Sequence, residues 1–237
     1  MVKGNKLLLD LLFPRRCPVC DRITEGPGQM VCRDCRKKIV YITEPCCMKC
    51  GRQLKDQEKE YCRECEDSRH LYVRGTALYD YGSMSDSIFR FKYRGRAEYA
   101  EFYGRELFEK RGQWLQAVRP DALVPVPIHS SRKRQRGYNQ AELVARKLSD
   151  LTGIPVNVSL ICREKRTSPM KELGPAERQK NLKKAFKIRQ NDVKLNTIVI
   201  IDDVYTTGST IDAITHTVWN AGITEIYFMT LTIGRGI

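Results

Sequence analysis

The chain has 237 residues, of which 41% are hydrophobic, and it carries a formal net charge of +14. This length allows one large domain or a medium-sized domain with a small one, and the apolar content is sufficient for a packed core. The charge is +4 in residues 1–70 and +10 in residues 71–237. It favours phosphorylated metabolites, nucleic acid or acidic lipid surfaces as partners without choosing among them.

The first predicted element is a short amphipathic helix at the apolar run Leu7–Phe13. This run is interrupted by Asp10 and is far shorter than the roughly 20 residues that a membrane span needs. It precedes no small-residue cleavage site, so we expect neither a transmembrane segment nor an export signal. The sequence therefore predicts a cytoplasmic protein.

Cysteines dominate the next segment, because nine of the ten lie between Cys17 and Cys65. Eight of them form four C-x2-C pairs, and the second set of four repeats the first after thirty residues. In a reducing compartment this spacing indicates metal ligation rather than disulfides. The predicted ligands are Cys17, Cys20, Cys32 and Cys35 in one set and Cys47, Cys50, Cys62 and Cys65 in the other.

Four thiolates in each set suit tetrahedral Zn²⁺ and leave no open coordination position, so we predict two structural zinc ions. The simplest pairing is sequential, although a cross-braced pairing of the first pair with the third is an alternative. Cys46 is a spare thiol that could replace Cys47. We assign residues 1–70 to a double zinc-ribbon module and residues 71–237 to a second domain.

Hydrophobic runs in residues 71–237 predict an α/β domain with a five-stranded parallel sheet flanked by helices. An amphipathic helix is expected at Ala141–Leu151, ended by Gly153, and another at Ile211–Asn220. Cys162 is expected in the core. The predicted strands are Arg74–Tyr81, Ala122–Val126, Asn157–Cys162, Thr197–Asp202 and Glu225–Thr232.

Three basic segments accompany these elements. Arg90, Lys92, Arg94 and Arg96 alternate with Phe89, Phe91 and Tyr93, a combination that suits single-stranded nucleic acid but also an ordinary amphipathic helix. A basic loop is expected after the strand ending at Val126. Its candidate pyrophosphate or nucleic-acid ligands are Arg132, Lys133, Arg134 and Arg136. Residues Arg163–Arg189 carry a local charge of +7.

The segment Ile198–Thr210 combines a buried strand, two acids, a hydroxyl-rich turn and a helix start. Helix amino termini at such turns bind phosphate, because their free amides and the helix dipole favour an anion. Hydroxyls of the turn can donate to a 5′-phosphate, Gly208 allows close approach, and Asp202 and Asp203 can accept from a ribose diol. The predicted phosphate ligands are Thr206, Thr207, Gly208, Ser209 and Thr210.

This motif resembles the phosphoribosyl-pyrophosphate (PRPP) loop of type I phosphoribosyltransferases. The resemblance implies that Asp202 and Asp203 hold the ribose 2′ and 3′ hydroxyls and take part in catalysis, and that Thr206–Thr210 binds the 5′-phosphate. It also implies Mg²⁺ between the ribose hydroxyls and pyrophosphate. Transfer through a cationic, oxocarbenium-like sugar would be stabilised by the nearby carboxylates.

Further segments narrow the resemblance to one family. Phe91–Gly95 reads F-K-Y-R-G, Val124–Ile128 reads V-P-V-P-I, Arg136–Ala141 reads R-G-Y-N-Q-A, and Arg178–Phe186 reads R-x2-N-L-x3-F. Together with the cysteine module and the D-D-V-Y-T-T-G-S-T loop, their order resembles ComF-type competence proteins.

This second resemblance implies a role in the uptake of single-stranded DNA during natural transformation. It further implies a helicase-like ATPase partner and a location at the inner face of the membrane. Two alternatives stay open: an active nucleobase phosphoribosyltransferase of purine or pyrimidine salvage, and a non-catalytic nucleic-acid-binding adaptor.

Overall fold

The computed structural model describes residues 14–26, 28–164, 185–189 and 194–234. The helix predicted at Leu7–Phe13 and most of the basic segment Arg163–Arg189 lie outside these ranges. In the described part the helices are α1 Arg33–Arg36, α2 Arg63–Glu66, α3 Tyr81–Tyr93, α4 Tyr99–Val118, α5 Ser130–Arg136, α6 Gln140–Thr152 and α7 Ser209–Trp219. The strands are β1 Arg74–Asp80, β2 Ala122–Pro125, β3 Ile161–Arg163, β4 Phe186–Ile188, β5 Thr197–Tyr205 and β6 Glu225–Ile233.

The main sheet has the strand order β1-β6-β5-β2, and all its pairs are parallel. A parallel sheet covered by helices on both faces needs apolar residues on both sides of each central strand. The β-branched run of β5 meets this requirement, because residues 198 to 201 are fully buried. The predicted parallel α/β fold is confirmed.

Each face of the sheet carries one of the cysteine sets. Ile198 and Ile200 belong to a core that contains the apolar side of α7 and the second set, Cys47 among them. Val199 and Ile201 belong to the opposite core, with α3, α4, α6 and the first set, Cys17 among them. The alternation of side chains along β5 therefore connects both cysteine sets to the domain.

The predicted five strands are not all present in the described part of the chain. Next to β2 there is only a single parallel bridge between Leu123 and Val156. Of the strand predicted at Asn157–Cys162, only the last two residues are in a strand, β3. Before them, the Asn157 side chain accepts from the amides of Ser159 and Leu160 and turns the chain. Cys162 lies in the antiparallel β3–β4 pair and is half-buried rather than a core residue.

One predicted loop is a helix, and one predicted strand is longer than expected. The basic segment expected as a loop forms the helix α5, because it contains good helix formers and is closed by Gly137 at φ +81°. His129 caps its start by accepting from the amide of Ser131 at 3.2 Å. Strand β5 runs to Tyr205, so both acids lie within the strand and not after it.

Candidate functional site

The structure brings the eight predicted cysteines together in the two sequential sets, not in the cross-braced arrangement. In each set, the sulfur atoms all lie within 4.8 Å of one another. The sulfurs of Cys20 and Cys32 are 3.9 Å apart, and those of Cys50 and Cys62 are 3.7 Å apart. A tetrahedron with Zn–S bonds of about 2.3 Å has edges of about 3.8 Å. Donor type and spacing both fit structural Zn²⁺.

Cys46 is outside both sets. Its thiol donates to the carbonyl of Thr43 at 3.1 Å. Burial and the charge of Glu44 raise the pKa of Cys46 to about 11. The second sulfur cluster contains Cys47 and not Cys46, so Cys47 is the ligand at this position.

The second ribbon lies directly against the edge strand β1. Gly51, with φ +74°, follows the ligand Cys50, and a Cβ on it would meet the carbonyl oxygen of Gly75 at 2.6 Å. The amide of Gly75 donates to the carbonyl of Lys49 at 2.8 Å. Backbone contact this close leaves room only for glycine at position 51.

The first ribbon is held by the basic segment of α3 and the following turn. Arg96 forms two 2.8 Å bonds to the Asp21 carboxylate, and the Tyr99 hydroxyl donates to the same group at 2.6 Å. Arg90 donates to the carbonyl of Val19 at 2.6 Å. The alternating cluster predicted for nucleic acid is therefore divided, because Arg90 and Arg96 hold the ribbon and Phe91 is fully buried.

The predicted phosphate loop forms the turn between β5 and α7. Gly208 adopts φ +79° and directly precedes α7, while Thr206 and Thr207 are exposed. The hydroxyls of Thr207 and Ser209 are 2.8 Å apart. The first amides of α7 have no partner within the helix, so the turn offers amides and hydroxyls together at the carboxyl edge of the sheet.

The two acids beside this turn have different surroundings. Asp203 forms an ion pair with Lys92, with 2.7 Å between Oδ1 and Nζ. Asp202 is partly buried and accepts from the amide of Asp203 at 2.8 Å. Burial and the negative charge of Asp203 raise the pKa of Asp202 to about 7, although Lys92 opposes the shift. Burial and repulsion therefore bring the titration of Asp202 close to neutral pH.

Lys92 is the site residue whose role the sequence interpretation missed, since it was grouped with a nucleic-acid cluster. It follows the fully buried Phe91 on α3, and one residue further turns a helical side chain by about 100°. That rotation takes Lys92 from the core to the carboxyl edge, against Asp203. Lys92 is part of the F-K-Y-R-G motif, but the sequence does not indicate that it pairs with Asp203, which is distant along the chain.

The basic residues of α5 lie beside an exposed aromatic pair. Arg132, Lys133 and Arg134 are exposed. Arg136 lies over the Tyr93 ring at 4.8 Å and donates to its hydroxyl at 3.2 Å. The Tyr93 ring is in turn 5.1 Å from that of Phe89, and both side chains are about half exposed. Two of the predicted basic segments thus form one surface, here called the aromatic–basic surface (Phe89, Tyr93, α5).

Arg163 on β3 is close enough to α5 and to the acid pair for their charges to act on its pKa. Burial and the positive charge of Arg132 lower the pKa of Arg163, whereas the negative charge of Asp202 raises it. Positive charge from α5 and β3 therefore acts on the same edge of the sheet as the acids. In the described ranges, no helix is long and apolar enough to cross a membrane.

Fold and site together define a class of protein: a parallel α/β domain with two four-cysteine zinc ribbons and an acid-acid-hydroxyl turn at the carboxyl edge of its sheet. A family model described as a double zinc ribbon domain matches residues 8–66. The chain is 30% identical over 222 residues to Competence protein F of Haemophilus influenzae, covering 90% of this chain and 95% of that protein. The chain belongs to the ComF family.

Two further relatives agree with this assignment. Competence protein ComFC of Bacillus subtilis is 31% identical over 196 residues, which is 78% of this chain and 76% of that protein. DNA utilization protein YhgH of Salmonella typhimurium is 32% identical over 156 residues, or 63% and 67% of the two chains. The family resemblance inferred from the sequence motifs is confirmed.

Proposed function

We propose that this protein acts in the uptake of single-stranded DNA during natural transformation and binds PRPP or a related 5′-phosphate, with Mg²⁺, at Asp202–Thr210. The names of its relatives, which speak of competence and DNA utilization, support the first part. The second part is carried by one observation: an acid pair, a hydroxyl turn and a helix amino terminus meet at the carboxyl edge of a parallel sheet. Ligands of α/β proteins bind at this edge.

Each group of the site has a role in this proposal. The turn and the first amides of α7 bind the 5′-phosphate, and the acid pair accepts from the ribose diol. Lys92 orients Asp203 through their ion pair, while Arg132 and Arg163 supply positive charge for the pyrophosphate end. Mg²⁺, when bound with the ligand, neutralises pyrophosphate charge, and the oxygen-rich acid pair suits such a hard cation.

Titration calorimetry with PRPP and Mg²⁺ tests the loop. Replacing both acids by asparagine (Asp202→Asn with Asp203→Asn) should weaken binding by about tenfold to a hundredfold for each lost charge-assisted hydrogen bond. Asp121→Asn is the matched control, because Asp121 accepts from the amides of Asn196 and Thr197 at the other end of the sheet. Equal PRPP affinity of wild type and double variant would remove the proposed ligand.

An assay of pyrophosphate release from PRPP with each common nucleobase distinguishes the salvage enzyme from the adaptor. A salvage phosphoribosyltransferase should release pyrophosphate with one particular nucleobase, whereas an adaptor should release none with any base. The helicase-like ATPase partner and the inner face of the membrane follow from the family resemblance and remain part of the proposal.

The aromatic–basic surface supports binding of single-stranded DNA. Exposed rings offer stacking for bases, and the neighbouring cations attract the strand phosphates. Alanine at Arg132, Lys133, Arg134 and Arg136 should reduce the dependence of DNA affinity on salt, because fewer condensed counterions are released. Tyr93→Ala should lower affinity with little change in the salt slope, because stacking is not ionic.

A control removes two exposed cations elsewhere, half as many as the α5 variant, through Lys37→Ala with Lys38→Ala on the first ribbon. Fluorescence anisotropy with a labelled oligonucleotide at several salt concentrations provides the measurement. If the control flattens the slope as much as the α5 variant does, the DNA surface lies elsewhere. Absence of binding at low salt would exclude the nucleic-acid function.

A further inference from the structure

The thirty-residue repeat places Arg22 and Arg52 at equivalent positions, two residues after the second cysteine of each ribbon. The residues before them, Asp21 and Gly51, share a left-handed backbone, with φ of 61° and 74°. The two arginines nevertheless have opposite surroundings. Arg22 is exposed, whereas Arg52 is only 7% exposed.

Both cysteine turns of the second ribbon hold Arg52. Its carbonyl accepts from the amide of Cys47 at 2.8 Å, within the first turn. Its guanidinium pairs with Glu64 at 2.7 Å, and Glu64 lies between the ligands Cys62 and Cys65 of the second turn. The guanidinium is therefore held between the two turns that supply the four cysteines of the second set.

The same guanidinium reaches the candidate phosphate loop. Its Nη2 donates to the carbonyl of Thr206, the first residue of the hydroxyl turn, at 3.1 Å. The segment after the ribbon adds a contact on the other side of the turn, where His70 lies 2.7 Å from the Asp212 carboxylate in the first turn of α7. Residues of the ribbon and of the segment after it therefore contact the chain both at the start of the turn, at Thr206, and just after it, at Asp212.

We propose that the second zinc ribbon positions the phosphate loop through Arg52, so that the two zinc centres differ in function. Zinc at the second centre fixes the Thr206 carbonyl and with it the direction of the amides that follow, which lowers the ordering cost of binding a phosphate. The first centre has no such contact among the described residues. This inference rests on the proposed PRPP function, and Arg52 is a positioning residue that does not touch the ligand.

The repeat supplies its own control, since Arg52→Met and Arg22→Met make the same change at equivalent positions. Three measurements are combined on the full chain: zinc content, hydrogen exchange of amides 212–215 without ligand, and calorimetry with PRPP–Mg²⁺ and with inorganic phosphate. The first of these amides, that of Asp212, donates to the Gly208 carbonyl at 2.8 Å and so reports opening of the loop. Arg52→Met should keep two zinc ions, exchange these amides about tenfold faster and bind about tenfold more weakly. Arg22→Met should match wild type, and Arg52→Lys should lie between.

Unchanged exchange in Arg52→Met, or an equal effect of Arg22→Met, would overturn the positioning role. If Arg52→Met also loses zinc, Glu64→Gln decides, because Glu64 holds the guanidinium from the second cysteine turn. That variant should keep its zinc and loosen the same amides, and a wild-type exchange pattern in it would overturn the proposal. If wild type binds neither PRPP nor phosphate, the proposed ligand fails, while the exchange comparison still tests Arg52.

Discussion

Asparagine at position 202 should make the protein more stable at neutral pH. Asp202 is partly buried beside a second carboxylate, and its pKa is raised from 3.8 to about 7. The native state therefore binds more protons than the unfolded state between about pH 4 and pH 7. The free energy of unfolding should fall as pH rises through this window, and the contribution of this group is lost above it. Asp202→Asn removes the effect while keeping an acceptor for the Asp203 amide.

The magnitude follows from the difference between the two pKa values. A tenfold change in proton affinity corresponds to about 1.4 kcal/mol, so the full difference corresponds to about 4 kcal/mol. Asp202 is not completely enclosed, and solvent reduces this figure, so we expect a gain of about 2 to 4 kcal/mol above pH 7. Near pH 4 the variant and wild type should have nearly equal stability.

Urea unfolding of zinc-saturated protein between pH 4 and pH 8 measures this difference. Asp121→Asn is a control of opposite sign, because the amides of Thr197 and Asn196 lower the pKa of Asp121. That variant should lose stability at neutral pH relative to wild type. If wild type and Asp202→Asn show parallel pH profiles, the carboxyl is not shifted and the reasoning from burial and repulsion is refuted.

Three further outcomes are expected. Cys47→Ser should reduce zinc from two ions to one per chain by elemental analysis, because each set needs four thiolates, and retention of two would contradict the sequential sets. Gly208→Ala should lower the free energy of unfolding by about 1 to 3 kcal/mol, measured by calorimetry. The backbone at this position has φ +79°, and the alanine Cβ would meet the Tyr205 hydroxyl at 2.5 Å. The cost of Gly208→Ala should be smaller when measured in a Tyr205→Phe background, against Tyr205→Phe alone, because that variant also removes the bond to the Tyr72 hydroxyl. An equal cost in both backgrounds would exclude the steric explanation. PRPP affinity should rise from pH 6 to pH 8 as Asp202 ionises, and this rise should be smaller in Asp202→Asn, where only the ligand phosphates titrate.

Features encoded by short spacings could be predicted from the sequence. Each C-x2-C pair forms one tight turn, and the thirty-residue repeat indicates which turns belong together, so the two sulfur clusters were predictable. The β-branched run of β5 predicts a doubly buried strand, and Gly208 marks the turn into α7. In each case the conformation depends on neighbours only a few residues away.

The strand predicted at Asn157–Cys162 shows where this reasoning stops. Apolar residues favoured a strand, but the Asn157 side chain accepts a hydrogen bond from the Leu160 amide and turns the chain, and β3 pairs with β4 instead. The division into two domains between residues 70 and 71 stays a prediction. The second ribbon and β1 are in direct backbone contact across this point.

The sequence by itself determined the zinc ligands, the parallel α/β class and the acid-acid-hydroxyl turn. Only the tertiary structure decided which charges meet there. Lys92 reaches Asp203 from a separate helix, and Arg52 reaches Thr206 across 154 residues of chain. The equivalent arginines at positions 22 and 52 have the same local sequence signal, yet one is exposed and the other is buried against the loop. Their difference arises because the two ribbons pack on opposite faces of the sheet, which no local pattern specifies.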